Sequence, residues 1–187
     1  MFTVELENLG RVPLRRFSRA EYDRLVELGL FQDEKLELLH GILVPMSPQG
    51  VSHTSAVQQL LRLLRPLEDR AVIRIQMPFV AVDESEPEPD VAVVPIDRYR
   101  THHPSQASLI VEVADSSQQK DRRIKGPLYA ACGVPEYWLV LVEKGLVEVY
   151  REPAEGRYQR MESIKKGDSI ALAEFPDVVI ATADFLP

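Results

Sequence analysis

Two acids stand where acids are least expected. Asp90 follows Pro89 at the mouth of the apolar run 91–94, and Glu112 sits inside Leu109-Ile110-Val111-Glu112-Val113-Ala114. A carboxylate among aliphatic side chains is costly to bury unless it is paired or bound to a cation. In strand alternation Glu112 shares a face with Ile110 and Ala114, while Val111 and Val113 point the other way. One charge thus projects from an apolar strand. Two carboxylates on adjacent strands, completed by a backbone carbonyl such as that of Val113, suit a hard octahedral cation that keeps several waters, Mg²⁺ or Mn²⁺. Such an ion lowers the pKa of a bound water and stabilises charge on a phosphodiester. The competing reading is a buried ion pair between Glu112 and Lys125 or an arginine.

Other conspicuous residues carry less. His53 could orient a phosphate or a water, or serve structure at a helix start. Gln76 lies on a strand that could border the cleft, and Tyr129 is expected beside Lys125. His40, His102 and His103 lack the mutual spacing of a zinc site. Ser47 and Ser116 have no Gly-x-Ser-x-Gly context, and no glycine loop cradles a phosphate. Tyr137 and Trp138 read as core, and Cys132 as a small buried hydrophobe.

The elements that must position these residues follow from periodicity and punctuation. Ser18-Arg19-Ala20-Glu21 is a capping-box pattern, opening a helix that stops at Gly29. The run 35–46 reads as two short strands around a Gly41 turn. From Ser52 to Leu67, Val57, Leu60, Leu61, Leu64 and Leu67 recur at helical spacing, with Arg62 and Arg65 outward. A strand region, Ala71 to Val82, leads to an acidic loop broken by prolines, 83–89. Val91 to Val94 and Leu109 to Ala114 have the character of central strands covered on both faces, joined by a polar loop, Asp97 to Gln106. Ser116 or Ser117 caps a helix reaching about Cys132, in which Pro127 implies a kink or a late start near Gly126. Tyr137 to Val142 and Leu146 to Arg151 form a hairpin turned at Lys144-Gly145, and weaker strands follow near 158–163 and 178–181. Interspersed helices and buried strands mean an α/β or α+β fold.

At 187 residues the chain is about one domain long, and no domain boundary, repeat or low-complexity stretch interrupts it. Its hydrophobic fraction of 45% leaves apolar surface for a real core. No stretch approaches the roughly 20 apolar residues needed to cross a bilayer. Met1 to Gly10 has no apolar region of the signal-peptide kind, and the single cysteine excludes an internal disulfide. These features point to a cytoplasmic protein. The net charge of −7 weighs against a dedicated duplex binder. A cleft of acids is nevertheless negative before its metal arrives. Local basic clusters stand at Arg98, Arg100, His102 and His103, and at Lys120, Arg122, Arg123 and Lys125; each reads first as solvated surface charge.

Pro89-Asp90, followed after about twenty residues by Glu112-Val113-Ala114, resembles the PD-(D/E)XK nuclease signature. More narrowly, the chain is similar to a large bacterial family grouped with restriction-type endonucleases. The marks are Glu37 ahead of Gly41, Met46-Ser47-Pro48 with His53, and Glu86-Pro87-Glu88-Pro89-Asp90. They continue with Glu112-Val113, Asp121, Lys125, Tyr129 and Gly133-Val134-Pro135-Glu136-Tyr137-Trp138. The likeness spans about 17–151 within one domain of 1–187. It implies a restriction-endonuclease-like mixed central sheet flanked by helices. It also implies a site where Asp90 and Glu112 hold the metal and Glu37 adds a further acid. Ala114 occupies the position of the superfamily's water-positioning lysine. Lys125, on the same helical face as Asp121, is the expected substitute, with Lys120 the second candidate. The resemblance implies Mg²⁺-dependent cleavage of nucleic acid, DNA ahead of RNA, by a homodimer. A domain that keeps the fold for binding or regulation without catalysis is the alternative.

Overall fold

The computed structural model describes residues 14–82, 84–114 and 117–187. The segment Met1 to Gly10, the first residue of the acidic loop and the proposed cap Ser116 lie outside the described residues.

Helix α1 (Arg19–Glu27) begins on the expected capping box: Ser18 accepts from the Glu21 backbone, and the Glu21 carboxylate accepts from the Ser18 backbone. It ends ahead of Gly29, whose φ of +72° is left-handed. Strands β1 (Leu36–Leu39) and β2 (Ile42–Pro45) pair antiparallel around His40-Gly41. At Gly41 φ is +76°, and a Cβ would lie 2.4 Å from Arg16 Cβ, so the turn requires glycine. Helix α2 (Val51–Leu64) runs into a 3₁₀ turn at Arg65–Leu67. It buries Ala56, Val57, Leu60 and Leu64; each of the larger aliphatics contributes about 1.5–3 kcal/mol.

A six-stranded mixed sheet has the order β3 (Val72–Ile75), β4 (Val91–Val94), β5 (Leu109–Ala114), β6 (Glu136–Leu141), β7 (Leu146–Ala154), β8 (Arg157–Lys165). Only β5 and β6 are parallel; the other pairs are antiparallel. Every residue of β4, β5 and β6 is buried. Alternation divides them between two cores. Val91, Val93, Leu109, Val111, Val113, Trp138 and Val140 pack under α2. Ala92, Val94, Ile110, Ala114, Tyr137, Leu139 and Leu141 pack under Tyr129 of the opposite helical layer, and Glu112 belongs by alternation to this second face.

That layer is one continuous helical stretch of three parts: α3 (Gln118–Lys120), a π turn (Asp121–Lys125) and α4 (Gly126–Ala131). Ser117 precedes it without a side-chain cap bond. The late start near Gly126 is not seen, since the helix opens at Gln118, and the irregularity expected of Pro127 is a π turn. The ladder widens ahead of Pro127, with the Gly126 N–H donating to the Asp121 carbonyl.

Four expectations need correction. The strand expected over 71–82 ends at Ile75, because Gln76 turns to φ +50°. Strand β8 is a nine-residue edge of the main sheet rather than a weak strand. A further small sheet, β9 (Ser169–Ala171) with β10 (Val179–Ala181), was not anticipated at β9. Cys132 is half-buried rather than buried, and its thiol donates to the Ala81 carbonyl at 3.0 Å. Tyr137 and Trp138 are core as expected. Among the described residues no helix is long and apolar enough to cross a membrane.

Candidate functional site

Glu37, His53, Asp90, Glu112, Val113, Asp121 and Lys125 line one small cleft of about 60 Å³. They arrive on β1, α2, the loop before β4, β5 and the π turn. Strand β1 delivers Glu37, fully buried, because the Gly41 turn folds β2 back on it. Asp90 ends the loop that enters β4. Its Oδ2 accepts from the Val113 backbone N–H at 2.8 Å, which ties the two strands together at the site. His53 Nε2, from the first turn of α2, lies 3.1 Å from the same carboxylate. Gln76 Nε2 donates to Asp90 Oδ1 at 3.3 Å. The left-handed backbone of Gln76 costs on the order of 1 kcal/mol, and its N–H donates to the carbonyls of Pro89 and Asp90.

Glu112 faces the helical layer. Its Oε1 accepts from Lys125 Nζ at 2.9 Å and from the Tyr129 hydroxyl at 2.7 Å. Lys125, 3% exposed, also meets Glu37 Oε2 at 2.8 Å, while Lys120 Nζ donates to Glu37 Oε1 at 2.7 Å. Asp121 is buried, accepts from the Ser117 hydroxyl, and presents its carbonyl to the Tyr137 hydroxyl at 3.3 Å. Lys125 is therefore both things the sequence offered: the ion-pair partner of Glu112 and the lysine of the cleft.

Five acids, Glu37, Glu88, Asp90, Glu112 and Asp121, line this cleft with two lysines, Lys120 and Lys125. The titration of Glu112, Asp121 and Glu37 reflects these neighbours. Burial pushes Glu112 up to about 8 against the pull of Lys125, and Asp121, Asp90 and Glu37 add to the rise. Burial also raises Asp121. For Glu37 burial acts upward too, but Lys125 and Lys120 prevail and hold it below the usual carboxylate range. Desolvation works against the Lys125 charge, yet Glu112, Glu37 and Asp121 together keep its pKa above that of an ordinary lysine. Lys125 stays protonated, and Glu112 is the acid most ready to take a proton until a further cation offsets its neighbours.

The donor set fits a hard divalent ion: two carboxylates and, on the edge where the Val113 N–H already meets Asp90, the Val113 carbonyl. Among the described residues no three His, Cys, Asp or Glu side chains converge to hold a metal alone. A cation here would complete its shell with that carbonyl and water.

The structure brings Glu37, His53, Asp90, Glu112, Val113, Asp121 and Lys125 to one cleft. Gln76 and Tyr129 enter through their bonds to Asp90 and Glu112 rather than as walls of the cleft. Of the second basic cluster, Lys120 and Lys125 turn inward and Arg122 pairs with Glu148; only Arg123 fits solvated charge. Sequence reasoning missed Ser117 as the partner of Asp121, and Glu88, which lines the cleft and whose backbone N–H approaches Glu37 Oε2 at 3.4 Å. The run of alternating prolines and acids at 86–89 was the only signal for Glu88.

The model of the Uma2 family, described as "Putative restriction endonuclease", matches residues 19–183. A solved structure from Anabaena variabilis, "a putative nuclease belonging to DUF820", superposes with a TM-score of 0.64 at 16% identity, covering 98% of this chain and 97% of that one. That likeness shows the shared nuclease-like fold. No curated protein matches the sequence.

Proposed function

Because this chain belongs to the Uma2 family, we propose that its cleft is a Mg²⁺-dependent phosphodiesterase site acting on DNA, with Mn²⁺ able to replace Mg²⁺. The observation that carries this reading is the meeting of Lys125 with Glu112 and Glu37 although Ala114 stands in the motif's lysine position. Asp90, Glu112 and the Val113 carbonyl would hold the ion. Bound there, it supplies a water of lowered pKa and a positive charge for the phosphate oxygens.

The chain's own groups do the rest. Lys125 is held protonated, so it acts by charge and hydrogen bonding, orienting water and a phosphate oxygen, and not as a general base. Glu37 and Tyr129 fix the two ends of the lysine–Glu112 pair. His53 and Gln76 hold the Asp90 carboxylate from either side. The acidic cleft explains how a chain of net charge −7 can serve a polyanion: repulsion is relieved only once the cation is bound. A homodimer would set one cleft against each strand of a duplex, and the lone cysteine suits the cytoplasm.

Asp90→Ala and Glu112→Ala should each abolish Mg²⁺-dependent cleavage of plasmid DNA. If both variants cut as well as the parent, the assignment fails. The non-catalytic reading has one observation in its favour, that Lys125 already satisfies Glu112. Mn²⁺ titration calorimetry separates the two: no heat at millimolar metal favours a binding or regulatory domain.

A further inference from the structure

Beside the catalytic cleft, and sharing Glu88 with it, lies a second and larger cavity of about 560 Å³ between α1 and the loop 97–106. The cleft, at about 60 Å³, has room only for an ion and a few waters, whereas the second cavity falls in the size range of small-molecule sites. Its inner wall carries Glu86, 4% exposed, whose Oε2 has no hydrogen-bond partner among the described residues, while the protonated carboxyl shares a side-chain hydrogen bond with Asp23. A buried carboxylate oxygen without a donor costs stability that a ligand's N–H would recover. The Glu86 backbone is locked to β1 by exchanged bonds with Leu38 (2.8 and 3.3 Å), one residue from Glu37. The spacing between cavity and cleft is thereby set by a single strand.

The outer wall is aromatic. Tyr99 has a left-handed backbone at φ +45° and donates its hydroxyl to the Pro95 carbonyl at 2.8 Å. Arg74 stands 5.3 Å over its ring, and the His102 ring packs edge-on at 5.4 Å. Burial, with Arg74 nearby, lowers the His103 pKa, so that imidazole is neutral. An orphan acceptor on one side and ring edges and faces on the other are the means by which proteins hold an unstacked nucleobase. Arg100, on the same wall, adds a charge suited to phosphate. A metal is the weaker occupant, since no three ligating side chains converge among the described residues.

We infer that this cavity is a nucleobase subsite, in which Glu86 accepts from the N–H groups of an amino-bearing base and the Tyr99 wall packs against its ring. Guanine fits best, because it alone offers two adjacent N–H donors to one carboxylate. The inference rests on the nucleic-acid reading of the neighbouring cleft and would give that cleft a base preference at an unpaired nucleotide.

The test is fluorescence anisotropy of the full chain, in EDTA at pH 8, where Glu86 is ionised, with labelled single-stranded oligothymidines carrying one central guanine, cytosine, adenine or abasic position. The guanine probe should bind about tenfold tighter than all-thymidine, the scale of one bidentate contact. Glu86→Gln should bring that ratio close to one. Tyr99→Ala should weaken the guanine probe several-fold while leaving the abasic probe unchanged; this variant keeps the test decisive if Glu86→Gln does not fold. Equal binding of guanine and thymine by the parent, a preference that survives both substitutions, or no binding of any probe would overturn the subsite. Cleavage plays no part in this readout. Base preference without Mg²⁺-dependent cutting would sink the catalytic proposal alone, and cutting without base preference would sink the subsite alone.

Discussion

Replacing Lys125 by glutamine removes the one cation shared by two buried acids. Its ammonium lies 2.8 Å from Glu37 and 2.9 Å from Glu112, and it is 3% exposed. Breaking a buried pair by deleting one partner costs about 3–5 kcal/mol, chiefly because the other charge is stranded. For a chain of this size each kcal/mol lowers Tm by roughly 2–4 °C, so Lys125→Gln should melt about 6–20 °C below the parent. Lys120→Gln is the internal control. Its side chain is 23% exposed and Lys125 still serves Glu37, so the loss should stay near or below about 1 kcal/mol. Glu37, held below the usual carboxylate range, is the charge left stranded, so adding Glu37→Gln to Lys125→Gln should recover part of the loss, which a double-mutant cycle reads directly. Calorimetry at pH 7, with and without Mg²⁺, is the assay; a bound ion should narrow the gap by returning positive charge to the cleft. A Lys125→Gln melting point within about 2 °C of the parent, or a double variant less stable than Lys125→Gln, would refute the electrostatic account.

Two further outcomes follow from single positions. Burial first, then Asp23 and Glu88, raises Glu86 from 4.5 to about 7, with Arg19 opposing. The folded chain therefore holds this proton more tightly, and the stability it contributes is complete below about pH 4.5 and lost as pH rises to about 7. Glu86→Gln should accordingly gain more stability over the parent at pH 8 than at pH 5; equal gains by thermal melting would count against the buried carboxyl. Gly41→Ala forces a Cβ into φ +76° and to 2.4 Å from Arg16 Cβ. It should cost about 1–2 kcal/mol or more by urea denaturation, and an unshifted midpoint would show that the turn has another conformation.

Legibility from the sequence depended on how local each cause was. The capping box at Ser18, the Gly41 turn and the alternation around Glu112 are encoded within a few residues, and each is found as read. Glu112 was conspicuous because a charge in an aliphatic strand contradicts its surroundings, and its orientation followed from period two alone. What escaped is set by tertiary contact. Strand β8 has an alternating but largely exposed pattern that is weak by itself, and it forms because β7 offers a complete partner edge. The early end of β3 comes from Gln76, whose left-handed backbone is held by bonds to Pro89 and Asp90 that no local pattern announces. Glu86 and Glu88 looked like one acidic loop, yet Glu88 lines both cavities and Glu86 only the second.

The lysine proposed to replace the motif's depends on the same kind of contact. A motif lysine at position 114 would rise from the strand itself, on the face of Glu112. Here that position is a buried alanine in a core shared with Tyr129, Tyr137 and Leu141, and the ammonium descends from the helix above. For Lys125 to reach Glu112 and Glu37 at once, the helix must lie close to β6. Gly126 permits this, because even a Cβ there would sit 3.3 Å from the Tyr137 ring. Pro127 cannot donate to a preceding carbonyl, so a regular α ladder would already lack a bond at this point. The π turn absorbs that defect: the Asp121 carbonyl accepts from Gly126 and from the Tyr137 hydroxyl, and both Asp121 and Lys125 end up buried at the cleft. A helix irregularity, a glycine and a core tyrosine thus stand in for one strand residue, which is why the lysine's type was legible in the sequence and its placement was not.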